Sequence, residues 1–337
     1  RMIRVAVDAM GGDHAPAHPV DGAVAAARNF GLGIDLIGRE DCVRAELQRH
    51  PDAGELDVRV IDAADVIEMT ESPARALRRK PGASIRIAAE HVAAGGAGAL
   101  FSAGHTGASV VAAHAAFGMM TGVDRPALAP MVPTRSGSAV LLDAGATVEC
   151  KPSHLLQFAH MGAIYARVGL GVERPRIGLL SIGEEETKGN ELTRDAHQLL
   201  KASALTFIGN VEARGIFLGD ADVIVCDGFT GNVALKLSEG LVEMAEHLLG
   251  EELQSTFSSQ VGYLLSRRAY RRFRKRVDYS EFGGAPLLGV AGLCIVGHGR
   301  SSVKAVRNAV VMASRMVGNQ MMERLRTEMS TLAVSPQ

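Results

Sequence analysis

The chain has 337 residues, 47% hydrophobic and 22% charged, with 36 basic and 37 acidic side chains giving a formal net charge of −1. That length buries a sizeable core as one large or two ordinary domains, and the composition is that of a globular protein. Near-neutrality excludes a global pull toward nucleic acid or membrane, so any electrostatic attraction is local.

From the amino end, Ile3–Asp8 reads as a strand entering the turn Asp8-Ala-Met-Gly-Gly-Asp13, followed by a helix over Pro19–Phe30. A strand over Ile34–Ile37, a helix over Asp41–Gln48 and a strand over Leu56–Ile61 come next. Ser72-Pro73 predicts a helix entry, with a capping hydroxyl and a proline at the first helical position, into Pro73–Arg79 and then Ser84–Ala94. The strand Ala97–Phe101 leads through Gly104-His105-Thr106-Gly107 into a helix over Thr106–Phe117. Then come a strand over Ala139–Leu142, a helix over Pro152–Val168, a strand over Ile177–Ser181 and the turn Gly183–Asn190. A helix over Glu191–Ala202 and a strand over Leu205–Ile208 follow. The strand Val223–Cys226 leads through Gly228-Phe229-Thr230-Gly231 into a helix over Gly231–Leu249. The last strand, Leu293–Val296, runs into the turn Gly297–Ser302 and a helix over Val303–Met329. This β–α alternation predicts a largely parallel sheet with helices on both faces, an α/β/α sandwich. Ligands in such sheets sit beyond the carboxyl ends of the strands, where the glycine-rich turns fall.

The tetrapeptide Gly-x-Thr-Gly thus occurs twice, each time between a strand and a helix. Such a turn aims unpaired N–H groups and the positive helix end at one spot, which suits an anion such as phosphate. The plainer alternative is that the glycines only allow a tight connection. Between Phe257 and Arg276 the texture changes: Phe257, Val261, Leu264, Leu265 and Phe273 form an apolar stripe, while Arg267, Arg268, Arg271, Arg272, Arg274, Lys275 and Arg276 crowd the later half. A basic amphipathic helix of this kind suits an anionic membrane, an acidic protein or a second subunit. Without a linker or low-complexity tract, residues 2–337 read as a single domain carrying a basic helical arm at about 250–277.

Several chemistries are excluded. No GxGxxG follows a strand and no GK[ST] closes the turn Gly183–Asn190, which argues against dinucleotide and Walker-type sites. No metal or cofactor is expected: HExxH is missing, and Pro16 and Pro19 spoil a helical His14/His18 pair. There is no GxSxG elbow for an acyl-enzyme. Cys42, Cys150, Cys226 and Cys294 are scattered and read as reduced thiols of a cytoplasmic protein. The start carries Asp8 and Asp13, unlike a signal peptide, and no run approaches the roughly 18 apolar residues of a membrane span. What remains is direct transfer to or from a phosphate, with the protein supplying placement and charge stabilisation.

Longer segments carry a resemblance. Asp8-Ala-Met-Gly-Gly-Asp-His-Ala-Pro16, Ser102-Ala-Gly-His-Thr-Gly-Ala108, Ile182-Gly-Glu-Glu-Glu-Thr-Lys-Gly-Asn-Glu191 and Phe207-Ile-Gly-Asn-Val-Glu212 resemble the bacterial phosphate acyltransferase family, PlsX. So do Asp227-Gly-Phe-Thr-Gly-Asn232 and Asp278-Tyr-Ser-Glu-Phe-Gly-Gly-Ala-Pro-Leu-Leu-Gly289. The resemblance implies transfer of a long acyl chain from acyl carrier protein to inorganic phosphate, the product feeding a membrane glycerol-3-phosphate acyltransferase. It also implies a homodimer with a three-layer α/β/α fold built on a large, mostly parallel sheet. That fold is like the one in isocitrate and isopropylmalate dehydrogenases and in phosphotransacetylases. One departure is His105, where the family usually has asparagine; both side chains donate hydrogen bonds, but histidine also titrates.

On this chemistry, Ser102, Gly104, His105, Thr106, Gly107, Thr230 and Gly231 are expected to bind phosphate. Lys188 would neutralise phosphate or the developing oxyanion, with Asn190, Asn232 and His298 as further donors. Asp8 and Asp13 are expected to brace the first turn. The arm, at Phe257, Val261, Leu264, Leu265, Arg267, Arg268, Arg271 and Arg272, is expected to meet acidic carrier protein or the inner face of the cell membrane. The competing readings are a phosphotransacetylase-type enzyme using acyl-coenzyme A, a decarboxylating dehydrogenase of the same fold, and a non-enzymatic membrane scaffold.

Overall fold

A computed structural model describes residues 3–334, so the expected domain bounds of 2 and 337 lie outside the described residues. Its strands are β1 (Arg4–Asp8), β2 (Gly33–Gly38), β3 (Val58–Asp62), β4 (Ala99–Ser102), β5 (Ala127–Leu128), β6 (Met131–Pro133), β7 (Ser138–Leu142), β8 (Arg176–Leu180), β9 (Thr206–Val211), β10 (Val223–Val225), β11 (Ala285–Leu288) and β12 (Cys294–Val296). They form two sheets, β3-β2-β1-β4-β12-β11-β5 and β6-β7-β10-β8-β9. Pairing is parallel except at β11 and β6. The three-layer α/β/α arrangement holds, but the strands divide between two sheets where the sequence suggests one.

Near-continuous apolar runs explain the parallel strands: Val5, Ala6 and Val7 of β1, and Leu100 and Phe101 of β4, are fully buried because helices cover both faces. Each large side chain so buried contributes about 1.5–3 kcal/mol of transfer free energy. The helices Ala17–Phe30 and Val303–Gly318 pack together over one face of the seven-stranded sheet, and Ser84–Ala93 and Thr106–Phe117 over the other. Helix Ala17–Phe30 buries Val20, Ala23, Val24 and Ala27 at helical spacing. It stops at Gly31, whose left-handed backbone (φ 63°) lets its amide close on the Ala27 carbonyl. Helices Pro152–Tyr165 and Glu191–Ala202 cover the five-stranded sheet.

Register decides where the turns meet. Phe101 of β4 lies opposite Val7 of β1 and Ile295 of β12, so the turns after these three strands stand side by side. In the other sheet Val225 of β10 lies opposite Leu142 and Leu179, which aligns the turns after β7, β8 and β10.

Three short strands escape the sequence reading, β5, β6 and β11; each contains or borders proline, which weakens a strand pattern. The expected helix Val303–Met329 is two helices, Val303–Gly318 and Met321–Val334, broken where Gln320 takes φ 54°. Gly231–Leu249 extends to Gly228–Ser255, and a second long helix, Phe257–Val277, returns along it. Pro73 does open its helix, but the Ser72 side chain makes no capping bond.

Candidate active site

A cleft of about 980 Å³ opens at the carboxyl ends of the strands. Its polar end brings together Gly104, Thr106 and Gly107 of the first tetrapeptide, Asn232 just beyond the second, and Asp13, Lys236, His298 and Gly299. The two long helices form one wall, contributing Leu235, Glu239, Val242, Glu246, Arg274 and Val277.

The first turn is held from below. Asp8, fully buried at the end of β1, accepts from the Ser102 hydroxyl at 2.7 Å and from the Met10 amide at 3.2 Å. Burial pushes its carboxyl up, against the hydrogen bonds of Ser84, Ser102, Met10 and Gly11 that pull it down. The Ser102 hydroxyl accepts the Gly104 amide at 3.1 Å, and His105 Nδ1 accepts the Gly107 amide at 3.1 Å as the helix N-cap. Ser102 is therefore a buried brace in this conformation, and His105 a cap, each consuming an amide that was expected to face phosphate. Thr106 lines the cleft at the helix start, and its amide and hydroxyl make no hydrogen bond among the described residues.

The second tetrapeptide is spent internally. The Gly228 amide donates to the Thr147 carbonyl at 2.9 Å. Asp227 caps the helix, accepting the Thr230 amide at 2.9 Å and the Thr230 hydroxyl at 2.7 Å. A carboxylate at a helix start occupies the place an anion would take. Gly231 is needed for close approach, since a Cβ there would meet the Asp143 carbonyl oxygen at 1.9 Å. Thr230 and Gly231 do not line the cleft, and in this turn Gly231 serves the close approach to Asp143.

Lys188 and Asn190 are exposed and lie outside the cleft. Their loop is tied elsewhere: Asn210 donates to the Glu185 carbonyl at 2.9 Å, and Asn190 caps its helix by accepting the Thr193 amide at 2.9 Å.

His298 reaches the cleft from the turn after β12. Its Nδ1 accepts the Arg300 amide at 3.2 Å, leaving Nε2 toward Glu239 Oε2 at 3.6 Å. Lys236 meets the same carboxylate at 2.8 Å. Burial works to raise the Glu239 pKa, but His298 and Lys236 outweigh it and hold the carboxyl below its usual range. Lys236 was missed in the sequence, although Asn232, Lys236 and Glu239 share one helix face at i, i+4 and i+7.

On the arm, Phe257 (82% exposed), Leu264 and Leu265 stand in solvent, Val261 is also exposed, and Arg267, Arg268, Arg271 and Arg272 are exposed. The preceding helix exposes a stripe the sequence reading overlooked: Phe229, Val233, Leu237, Leu241, Met244 and Leu248. Among the described residues no helix is long and apolar enough to cross a membrane, and no group of three or more His, Cys, Asp or Glu is placed to hold a metal.

Comparison with known proteins places the chain in a family. The family described as fatty acid synthesis protein matches residues 3–324. A phosphate acyltransferase of Geobacter sp. (strain M21) is 53% identical over 311 residues, covering 92% of this chain and 88% of that one. A phosphate acyltransferase of Geobacter sulfurreducens is 50% identical over 329 residues, covering 98% and 95%. In fold, the chain is similar to a phosphotransacetylase from Streptococcus pyogenes, with a TM-score of 0.60 at 15% identity over 94% of each chain. The chain belongs to the fatty acid synthesis protein (PlsX) family and is an acyltransferase.

Proposed function

We propose that the protein, a single acyltransferase unit with a basic arm, transfers a long acyl group from acyl carrier protein to inorganic phosphate. The acyl phosphate formed would feed a membrane glycerol-3-phosphate acyltransferase. The observation that carries this reading is the start of helix Thr106–Phe117. There the Thr106 amide and hydroxyl, at the positive helix end, line a cleft shared with Asn232 and His298. Phosphate held there attacks the thioester carbonyl carbon through one oxygen; the C–S bond breaks and the carrier leaves as its thiol. No nucleophile of the protein is required, because phosphate is itself nucleophilic once desolvated and aimed. Asn232 is a donor for phosphate or the oxyanion, joined by His298 Nε2 when it turns from Glu239, each worth about 3–4 kcal/mol in the transition state. Lys188 and Asn190, lying outside their own subunit's cleft, have a part in this chemistry only across a subunit boundary.

The arm supports the partners in this reading. Exposed arginines suit an acidic carrier, and the exposed tip at Phe257, Leu264 and Leu265 suits the inner face of the cell membrane. The apolar stripe from Phe229 to Leu248 suits a second copy of the chain in a homodimer.

Hydroxamate trapping tests the reading: wild-type protein, acyl carrier thioester and phosphate should yield acyl hydroxamate well above the phosphate-free background, in which hydroxylamine attacks the thioester directly. Equal or faster thiol release from acyl-coenzyme A would replace the carrier as donor. Liposome binding with no phosphate-dependent hydroxamate would leave only a scaffold. Arg271→Glu with Arg272→Glu should raise the carrier's KM or weaken liposome binding; neither change would leave the arm to the subunit interface.

A further inference from the structure

We propose that the apolar stretch of the cleft, walled by Leu128, Met131, Leu235, Val242, Val277 and Phe282, is the bay that receives the acyl chain of the thioester. The inference rests on the acyltransferase reading and gives that site its second half. A fatty thioester whose carbonyl sits at the Thr106 end must lay its chain along a surface continuous with that end. The inward face of helix Gly228–Ser255 supplies one. From Asn232 at the polar end it runs through Leu235 and Glu239 to Val242 and Glu246, all lining the same cleft. Ten residues of helix carry the wall about 15 Å from Asn232 to Val242.

The acids on this wall do not present bare charge to a hydrocarbon. Glu239 is met by Lys236 at 2.8 Å and His298 at 3.6 Å, Glu243 by Arg300 at 2.9 Å, and Glu246 by Arg274 at 3.3 Å. Across the cleft, Asp278 is met by Lys304 at 3.0 Å. Pairing of this kind ties the helix to the turn after β12 and leaves Leu235 and Val242 as the unpaired, half-buried surface between. A prosthetic arm rich in amides would need donors and acceptors that the six apolar side chains do not offer. The outward stripe of the same helix, which includes Leu237, Leu241 and Leu248, does not line the cleft and is a separate surface.

The test is the acyl-chain profile of phosphate-dependent hydroxamate formation, read as the ratio of kcat/KM for palmitoyl to butyryl thioester. Each methylene displaced from an apolar wall lowers the ratio about fourfold. Val242→Trp, which fills the bay, should lower it by at least about tenfold, displacing roughly two methylenes. Val242→Asp, which places a charge on the wall, should lower it as well, and it serves if the indole disturbs the arm. Ala245→Trp, on the outward side of the same helix, should keep the wild-type ratio. Val242 variants with the wild-type ratio, or an equal fall in Ala245→Trp, would overturn the bay. Absence of phosphate-dependent hydroxamate from the wild-type protein at every chain length would instead overturn the acyl-phosphate reading, and the bay with it.

Discussion

The Ser102 hydroxyl donates a 2.7 Å hydrogen bond to the buried carboxyl of Asp8, joining the carboxyl ends of β4 and β1 beneath the first Gly-x-Thr-Gly turn. The same hydroxyl accepts the Gly104 amide at 3.1 Å, so one side chain sets both the floor and the first bend of the turn. Ser102→Ala removes a donor from Asp8 and strands that amide. We expect a loss of about 1–3 kcal/mol in urea unfolding, together with a higher KM for phosphate. A loss under about 0.5 kcal/mol, the range of an ordinary surface change, would contradict the bracing role.

His105 acts through its Nδ1 acceptor on the Gly107 amide. His105→Ala should therefore cost about 1 kcal/mol of stability, the usual worth of an N-cap. His105→Asn, which offers an oxygen in nearly the same place, should keep most of it. Thermal unfolding of the two variants decides the matter; equal melting temperatures would show that the cap contributes nothing.

Two glycines on one helix should respond with opposite signs. At Gly231 a Cβ would come within 1.9 Å of the Asp143 carbonyl oxygen and 2.8 Å of Cys226 Sγ, whereas at Gly240 it would meet nothing within 4 Å. Removing a helix-interior glycine gains about 1 kcal/mol, but overpacking costs about 1–3 kcal/mol, at the upper end where the obstacle is backbone. Gly231→Ala should destabilise and Gly240→Ala should stabilise in denaturant titration. The same sign for both would refute the close approach.

Asp143 gives the fold a pH dependence. It accepts the Leu128, Gly145, Ala146 and Thr147 amides at 2.7, 3.0, 3.0 and 2.6 Å. Burial nonetheless pushes its carboxyl from 3.8 to about 6. Between those two values the folded chain holds more protons than the unfolded one, so this group makes stability fall as pH rises through that window. The fall is about 3 kcal/mol. Asparagine does not titrate, so the stability gap between wild type and Asp143→Asn should be wider at pH about 4 than at about 7. A gap that is constant, or widest at neutral pH, would contradict the assignment.

Much of this architecture is legible in the sequence because it is locally encoded. The apolar run of β4, the glycines of the first turn and the helix Thr106–Phe117 are contiguous, and each follows from its own residues. Placement of His298 beside the first turn follows from the rule that strand ends carry sites, together with register, whereas Asn232 belongs to the other sheet and joins the cleft through packing of the two sheets. Lys188 shows the limit of that rule, since its loop also follows a strand end yet hangs outside the cleft, held by Asn210. Nothing near Lys188 encodes that, because the anchoring residue is remote in sequence. Likewise, Thr230 and Gly231 look like Thr106 and Gly107 until the neighbouring Asp227 and the distant Asp143 are seen in place. The apolar stripe ending at Leu248 was hidden by its mixture with the charged inward face of the same helix.

The most direct test of the account is a crystal of the protein soaked in orthophosphate. The account predicts a phosphate on the amide and hydroxyl of Thr106, within reach of Asn232 or His298. Phosphate bound only outside the cleft, or a cleft that stays empty at concentrations saturating the reaction, would contradict it.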